Sequence, residues 1–171
     1  KVFTYRLRLS DPSGSIREFH DPYSFLPIMS SFDLHLFAEG KNYFMYRKMG
    51  AHILTQNNIS GVYFTVWAPN AVRVSIVGDF NKWDGRRYPM RVLGGSGVWE
   101  LFIPGMSVGE VYKYEIKTMD SLILLKSDPY GHFSEVRPNN ASIVCDIDKY
   151  NWGDTEWLTI RQNKDLHQSP V

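Results

Sequence analysis

The sequence predicts an all-β fold, an antiparallel β-sandwich with short flanking helices. Two patterns predict it. Apolar and polar residues alternate in short runs, and turn residues separate the runs. Gly61-Val-Tyr-Phe-Thr-Val-Trp67 alternates, with Val62, Phe64 and Val66 on one face. After Ala68-Pro-Asn70 the alternation resumes at Val72, Val74 and Ile76. Val98–Ile103 is a third run. Tyr112–Lys117 is a fourth, with Tyr112, Tyr114 and Ile116 opposite Lys113, Glu115 and Lys117. Ser121–Leu125 and Ala141–Val144 complete the set. Gly78-Asp, Asp84-Gly85, Gly94-Gly95, Pro104-Gly105 and Asp128-Pro129 punctuate it. Short strands at this spacing predict a sandwich of immunoglobulin-like kind. One face of each strand should feed the core and the other should meet solvent.

Helices are expected only at the flanks. Ser31 is placed to cap a short helix carrying Phe32, Leu36 and Phe37, which Gly40 stops. Asp154 caps another turn or two through Trp157 and Leu158. The polar tail after Arg161 reads as a linker.

The sequence also repeats. Tyr5-Arg-Leu-Arg-Leu9 aligns with Tyr112-Lys-Tyr-Glu-Ile116, and without a gap Asp21-Pro-Tyr23 then falls on Asp128-Pro-Tyr130. Each segment reads as a hairpin ending where proline can no longer donate to a ladder. Hairpins often look alike. The alternative is that residues 1–29 are the C-terminal part of a preceding β-sandwich module. The expected organisation is then 1–29 for that part, 30–55 for a linker with a short helix, 56–150 for the sandwich and 151–171 for a linker.

Composition narrows the function classes. The 171 residues are 43% hydrophobic and 22% charged, an ordinary globular balance. A net charge of +1 gives no overall drive toward nucleic acid or an anionic membrane. No apolar run approaches the ~20 residues of a transmembrane helix. The lone Cys145 excludes an intrachain disulfide and fits a reducing, cytoplasmic setting. It is expected as a small core or edge residue. The first residue is Lys rather than Met, as in a piece of something longer.

No catalytic constellation emerges. Gly94-Gly-Ser-Gly97 lacks the Lys-Ser/Thr of a phosphate loop. The five histidines are scattered without metal-ligand spacing. Asp79, Asp84 and Glu100 read as solvated acids of turns and exposed strand faces, not as an opposed glycosidase pair. The expectation is no catalytic residue, no metal and no cofactor.

Aromatic residues, at 15%, say more. Gly78-Asp-Phe-Asn-Lys-Trp-Asp-Gly85 puts Trp83 in a polar turn. An exposed indole offers a flat apolar face with a donor at its edge, matching a pyranose face and its hydroxyl rim. By analogy with bases on aromatics, such stacking contributes ~1–3 kcal/mol. Lys113, on a solvent face, and Asn139 and Asn140, in the turn before Ala141, could bond hydroxyls. The alternative is that Trp83 folds back as a lid on the sandwich edge. Trp67 is expected to pack, Trp99 sits in a strand of undetermined face, and Trp152 and Trp157 are expected to dock the linker or a neighbouring domain.

Several segments together resemble bacterial 1,4-α-glucan (glycogen) branching enzymes. Phe64-Thr-Val-Trp-Ala-Pro-Asn-Ala71 and Val77-Gly-Asp-Phe-Asn-Lys-Trp-Asp-Gly-Arg-Arg87 are similar to carbohydrate-binding modules of family 48. Asp21-Pro-Tyr23, Leu34-His-Leu-Phe-Ala-Glu-Gly40 and Met49-Gly-Ala-His52 narrow the resemblance to branching enzymes. The resemblance implies an amino-terminal region of two modules, preceding a (β/α)₈ catalytic barrel of glycoside hydrolase family 13. The chain is expected to stop about where that barrel begins. The family's reaction cleaves an α-1,4 bond through a covalent glycosyl-enzyme and transfers the chain to a 6-hydroxyl. Its catalytic carboxylates belong to the barrel, and no position here matches them. The implied partners are an α-1,4-glucan, glycogen or a maltooligosaccharide, and the chain's own C-terminal barrel. Trp83 and Lys113 match the family's binding tryptophan and lysine, and Asn140 lies near a polar position of that site. A second stacking tryptophan, present in kinase glycogen-sensor subunits, is replaced here by the aliphatic stretch Met119–Leu125. That leaves a weak site with one platform.

Overall fold

The computed structural model describes residues 5–163, so residues 1–4 and most of the polar tail lie outside the described part. Strands β1 (Arg6–Ser10) and β2 (Ile16–His20) form a hairpin. The sandwich proper has two antiparallel sheets. One runs β3-β4-β7-β6, built from Gly50–Gln56, Ile59–Trp67, Val98–Pro104 and Arg91–Val92. The other runs β10-β11-β8-β5, built from Phe133–Ser134, Ser142–Ile143, Val111–Thr118 and Ala71–Gly78, with β9 (Ile123–Lys126) on β8. Between the sheets lie Val62, Phe64 and Val66 of β4, Trp99, Leu101 and Ile103 of β7, Val74 and Ile76 of β5, and Tyr112 and Tyr114 of β8. The predicted all-β, immunoglobulin-like sandwich with short helices is what forms.

Four local expectations need correction. Helix α1 (Ser31–Ala38) is capped by Ser30, not Ser31. Three residues after Ser30 comes Asp33, whose carboxylate accepts from the Ser30 N–H at 2.9 Å, while the Asp33 N–H donates to Ser30 Oγ at 3.1 Å. Three residues after Ser31 comes Leu34, which cannot reciprocate. Residues 50–56 form edge strand β3, inside what reads as linker. Helix α2 (Thr155–Asn163) extends past Leu158, beyond one or two turns.

The fourth correction concerns the outer faces. The central strands β4 and β7 of the β3-β4-β7-β6 sheet are buried on both sides. Tyr63, Val98 and Phe102 point away from the sandwich core into a second core with Phe25, Met29, Met45 and Met49. Residues 25–49 therefore cover the sheet instead of hanging from it. Glu100 lies on this covered face and is only 1% exposed, so it is not a solvated acid. Its Oε2 accepts from Tyr63 Oη at 2.6 Å and from the Ile28 and Met29 N–H groups at 3.3 Å, and Arg91 Nε stands 3.5 Å from Oε1. A buried carboxylate needs such partners. These bonds fasten the chain that follows the first hairpin onto the sheet.

The repeat has a structural counterpart. Tyr112 Oη donates to Asp128 Oδ2 at 2.6 Å, and Tyr5 Oη donates to Asp21 across the same sixteen residues. In both copies the tyrosine two residues after the aspartate donates its N–H to that carboxylate, at 2.8 Å for Tyr130 and 2.9 Å for Tyr23. Both segments are antiparallel hairpins.

Asp128 is buried and also accepts from Tyr114 Oη at 3.1 Å. Burial pushes its carboxyl above the usual range, although the bonds from Tyr112, Tyr130 and Tyr114 oppose this. A raised folded-state value means that the folded protein holds the proton more tightly than the unfolded chain. The resulting stability is complete below the ordinary carboxyl range and is lost as pH rises through the raised value. Asp128→Asn removes this titration. Urea midpoints measured from about pH 4 to about pH 7 should show the native chain losing stability relative to the variant as pH rises. A difference that stays constant across that range would contradict the raised value.

Candidate functional site

The loop after β5 decides where Trp83 goes. Gly78 ends the strand, and the chain turns back on itself so that the Trp83 N–H donates to the Gly78 carbonyl at 2.9 Å. The turn needs two consecutive left-handed residues, Lys82 and Trp83, both at φ +58°. For a residue with a Cβ this region costs ~1–2 kcal/mol. Asn81 holds the bend. It is buried, its Nδ2 donates to the Ile76 carbonyl at 2.9 Å and to the Asp84 carbonyl at 3.3 Å, and its Oδ1 accepts from the Gly78 N–H at 3.0 Å. The sequence reading missed this role. The Gly-Asp-Phe-Asn segment marks a turn, but which polar side chain goes inside depends on the strand it folds over.

The loop lies across the outer face of the β5–β8 pair. Arg73, Ser75 and Val77 of β5 share that face with Lys117, Glu115 and Lys113 of β8. Ser75 and Val77 are buried despite facing outward. Gly85 rests on Glu115: a Cβ there would fall 2.1 Å from Glu115 Oε1. Glu115 cannot easily move, because Arg73 Nη2 donates to it and it is mostly buried. Asp84 accepts from Arg86 Nη2 at 2.8 Å and Nε at 2.9 Å, and the Arg86 hydrogen bonds hold its carboxyl well below the usual range.

Of the three expected binding residues, Lys113 lies on this face and the backbone of the Trp83 turn is anchored at its Gly78 end. Lys113 Nζ donates to Asn140 Oδ1 at 2.6 Å, which brings two of them into direct contact. Lys113 pairs with Val77, the residue before Gly78, and Gly78 is where the Trp83 backbone is anchored. Trp83 is 37% exposed, so part of its ring is open to solvent and part is packed. Its edge is not free. Nε1 donates to Oδ1 of Asp79 at 2.7 Å, and Asp79 itself is an exposed turn acid, as expected. Asn139 does not join the cluster, since its Nδ2 donates to Glu135 Oε1 at 3.2 Å.

Among the other tryptophans, Trp67 is more exposed than expected and Trp99 takes the inner face. Trp99 is a core residue whose Nε1 donates to the Ala68 carbonyl at 3.0 Å. Trp67 is 54% exposed, because residue 67 falls on the outer face beyond the second core. It touches Phe37 edge-on with ring centroids 5.9 Å apart. Trp152 and Trp157 are 75% and 56% exposed. Cys145 is half-buried. Among the described residues, no group of three or more His, Cys, Asp or Glu side chains is arranged to hold a metal ion.

This arrangement has known relatives. Residues 48–131 match carbohydrate-binding module 48 (isoamylase N-terminal domain). That part of the chain belongs to this family. The matched segment starts just before β3 and contains Trp83 and Lys113, while Asn140 lies beyond it. Over 98% of its length the chain is 52% identical to the 1,4-α-glucan branching enzyme of Thermosynechococcus vestitus, of which it covers 22%. It is 50% identical to that of Rubrobacter xylanophilus over 98% of its length, covering 23% of the relative. The resemblance to branching enzymes is thus shown across the module and its flanks, although the chain spans less than a quarter of each relative's length. The pullulanase of Anoxybacillus sp. LM18-11 superposes with a TM-score of 0.51 at 19% identity, over 86% of this chain and 19% of that one. It shares the fold. No helix among the described residues is long and apolar enough to cross a membrane.

The module's loop makes a direct prediction. Gly85→Ala should lower stability by ~1–3 kcal/mol, because the pinned Glu115 cannot make room. It should also shift the Trp83 indole N–H resonance. An unchanged melting curve together with an unchanged resonance would show that the loop does not rest on Glu115.

Proposed function

We propose that this chain binds and positions an α-1,4-glucan for a 1,4-α-glucan branching enzyme, and that it carries no catalytic residue itself. In this reading the catalyst is a barrel in the same polypeptide, working in cytoplasmic glycogen synthesis. Residues 1–29 are the tail of a preceding sandwich, and the repeated tyrosine–aspartate bond supports that assignment.

The observation that carries the proposal is the Trp83 turn. Two left-handed residues hold a partly exposed indole in a turn anchored at Gly78, next along β5 from Val77, which pairs with Lys113, and Lys113 in turn bonds Asn140. The ring supplies a stacking face. Lys113 Nζ has donors beyond the one given to Asn140, and Asn140 keeps an amide NH₂ to offer hydroxyls. A single platform gives modest affinity. That suits a tethered module, because attachment raises the local concentration of the glucan at the catalyst without tight binding.

A second reading has its own observation. Trp67, Trp152 and Trp157 are exposed away from the Trp83 cluster, and aromatic residues are enriched at protein interfaces. The module would then mainly brace the barrel.

Maltoheptaose should quench the tryptophan fluorescence of the chain, and Trp83→Ala should abolish the response. Lys113→Ala should weaken it about tenfold, the effect of losing one charge-assisted hydrogen bond. Full quenching in Trp83→Ala would refute the site. The absence of calorimetric heat with maltoheptaose in the native chain would favour the bracing role.

A further inference from the structure

We propose a second saccharide site, in the pocket between edge strand β3 and the chain that follows β11. The cavity measures about 410 Å³ and is lined by Tyr46, Arg47, His52, His132, Asp146 and Asp148, with Ala51, Ile53 and Ile147 as apolar wall. This volume lies within the ~300–1,000 Å³ of small-molecule sites.

The fold gathers residues that are remote in sequence. Tyr46 and Arg47 precede β3, His52 lies on it, His132 follows the Asp128-Pro-Tyr130 turn, and Asp146 and Asp148 follow β11. The His52 and His132 rings meet edge-to-face at 5.9 Å. His52 Nε2 lies 2.8 Å from the Met49 carbonyl. A carbonyl only accepts, so Nε2 carries the hydrogen and Nδ1 is left for another partner. The Arg47 guanidinium lies 5.0 Å from the Phe44 ring centroid and 5.7 Å from that of Tyr46, and its Nε donates to Tyr46 Oη at 3.3 Å. Among the described residues Arg47 forms no ion pair, and neither do Asp146 and Asp148. One Asp146 oxygen accepts from the Asp148 N–H at 3.1 Å.

The pocket therefore presents a guanidinium, two carboxylates and imidazoles that do not satisfy one another. Two carboxylates oppose an anion, and the guanidinium opposes a cation. A neutral sugar fits both demands, because each hydroxyl donates and accepts at once and a vicinal diol can span a carboxylate. Tyr46 and the aliphatic wall can take the C–H face of a pyranose. The cavity suits one or two hexose units more than a long chain. It shares no lining residue with Trp83, Lys113 and Asn140, so the two sites stand or fall separately.

NMR of the 171-residue chain tests this, with maltose, inorganic phosphate and glycine as probes. Maltose should shift the His52 and His132 imidazole C–H signals saturably. Arg47→Ala and Asp148→Ala should each weaken that response about tenfold, while Trp83→Ala should leave it intact. Phosphate and glycine should give no saturable shift. The proposal is overturned if the imidazole signals stay still under maltose, if the response survives both pocket variants, or if phosphate or glycine binds better than maltose. The Trp83 indole N–H, followed in the same spectra, reports the first site independently.

Discussion

A buried hydrogen-bond cluster centred on the Asp128 carboxylate ties the two sheets together through Tyr114. Asp128 accepts the hydroxyls of Tyr112 and Tyr114, both of them inner-face residues of β8. Its own N–H donates to Ser142 Oγ on β11 at 2.9 Å, and Tyr114 Oη also reaches the Thr65 carbonyl on β4 at 3.3 Å. Burial and the neighbouring carboxylate raise both phenols well above their ordinary values, so they remain donors. The cluster holds β8 in place from inside the sandwich. Lys113 lies between the two anchored tyrosines and points the opposite way, so the position of its ammonium on the outer face follows from this interior network.

The second core has a comparable effect on the other sheet. A single-faced sandwich would leave Tyr63, Phe102 and Glu100 in water. Residues 25–49 cover them, and the polar groups beneath find partners in Ile28, Met29 and Arg91. Tyr23 Oη donates to the Pro89 carbonyl at 2.9 Å and Arg91 Nη2 to the Phe25 carbonyl at 2.7 Å. The segment between the first hairpin and the module is thereby part of the folded body.

Much of this was legible in the sequence. Period-two alternation located the main strands, because a half-buried strand writes its two environments into alternate residues. The repeat spacing located a hydrogen bond that the structure shows twice. What escaped has a common cause. Glu100 and Asn81 are polar residues whose partners come from other strands or from the far end of a turn, and no local pattern marks such pairing. Strand β3 escaped because its helix-flanked surroundings read as linker. The grouping of Trp83, Lys113 and Asn140 into one expected site came from residue type and placement as well as from family resemblance. The register of β5 against β8 sets Lys113 opposite Val77, one residue before the Gly78 that anchors the Trp83 backbone.

The paired left-handed residues at 82 and 83 set thermal robustness against retention of the indole. Glycine at either position would relax the backbone. Relief at 82 would leave the indole in place, whereas relief at 83 would erase it, so a selection for heat resistance alone has no reason to spare the aromatic platform.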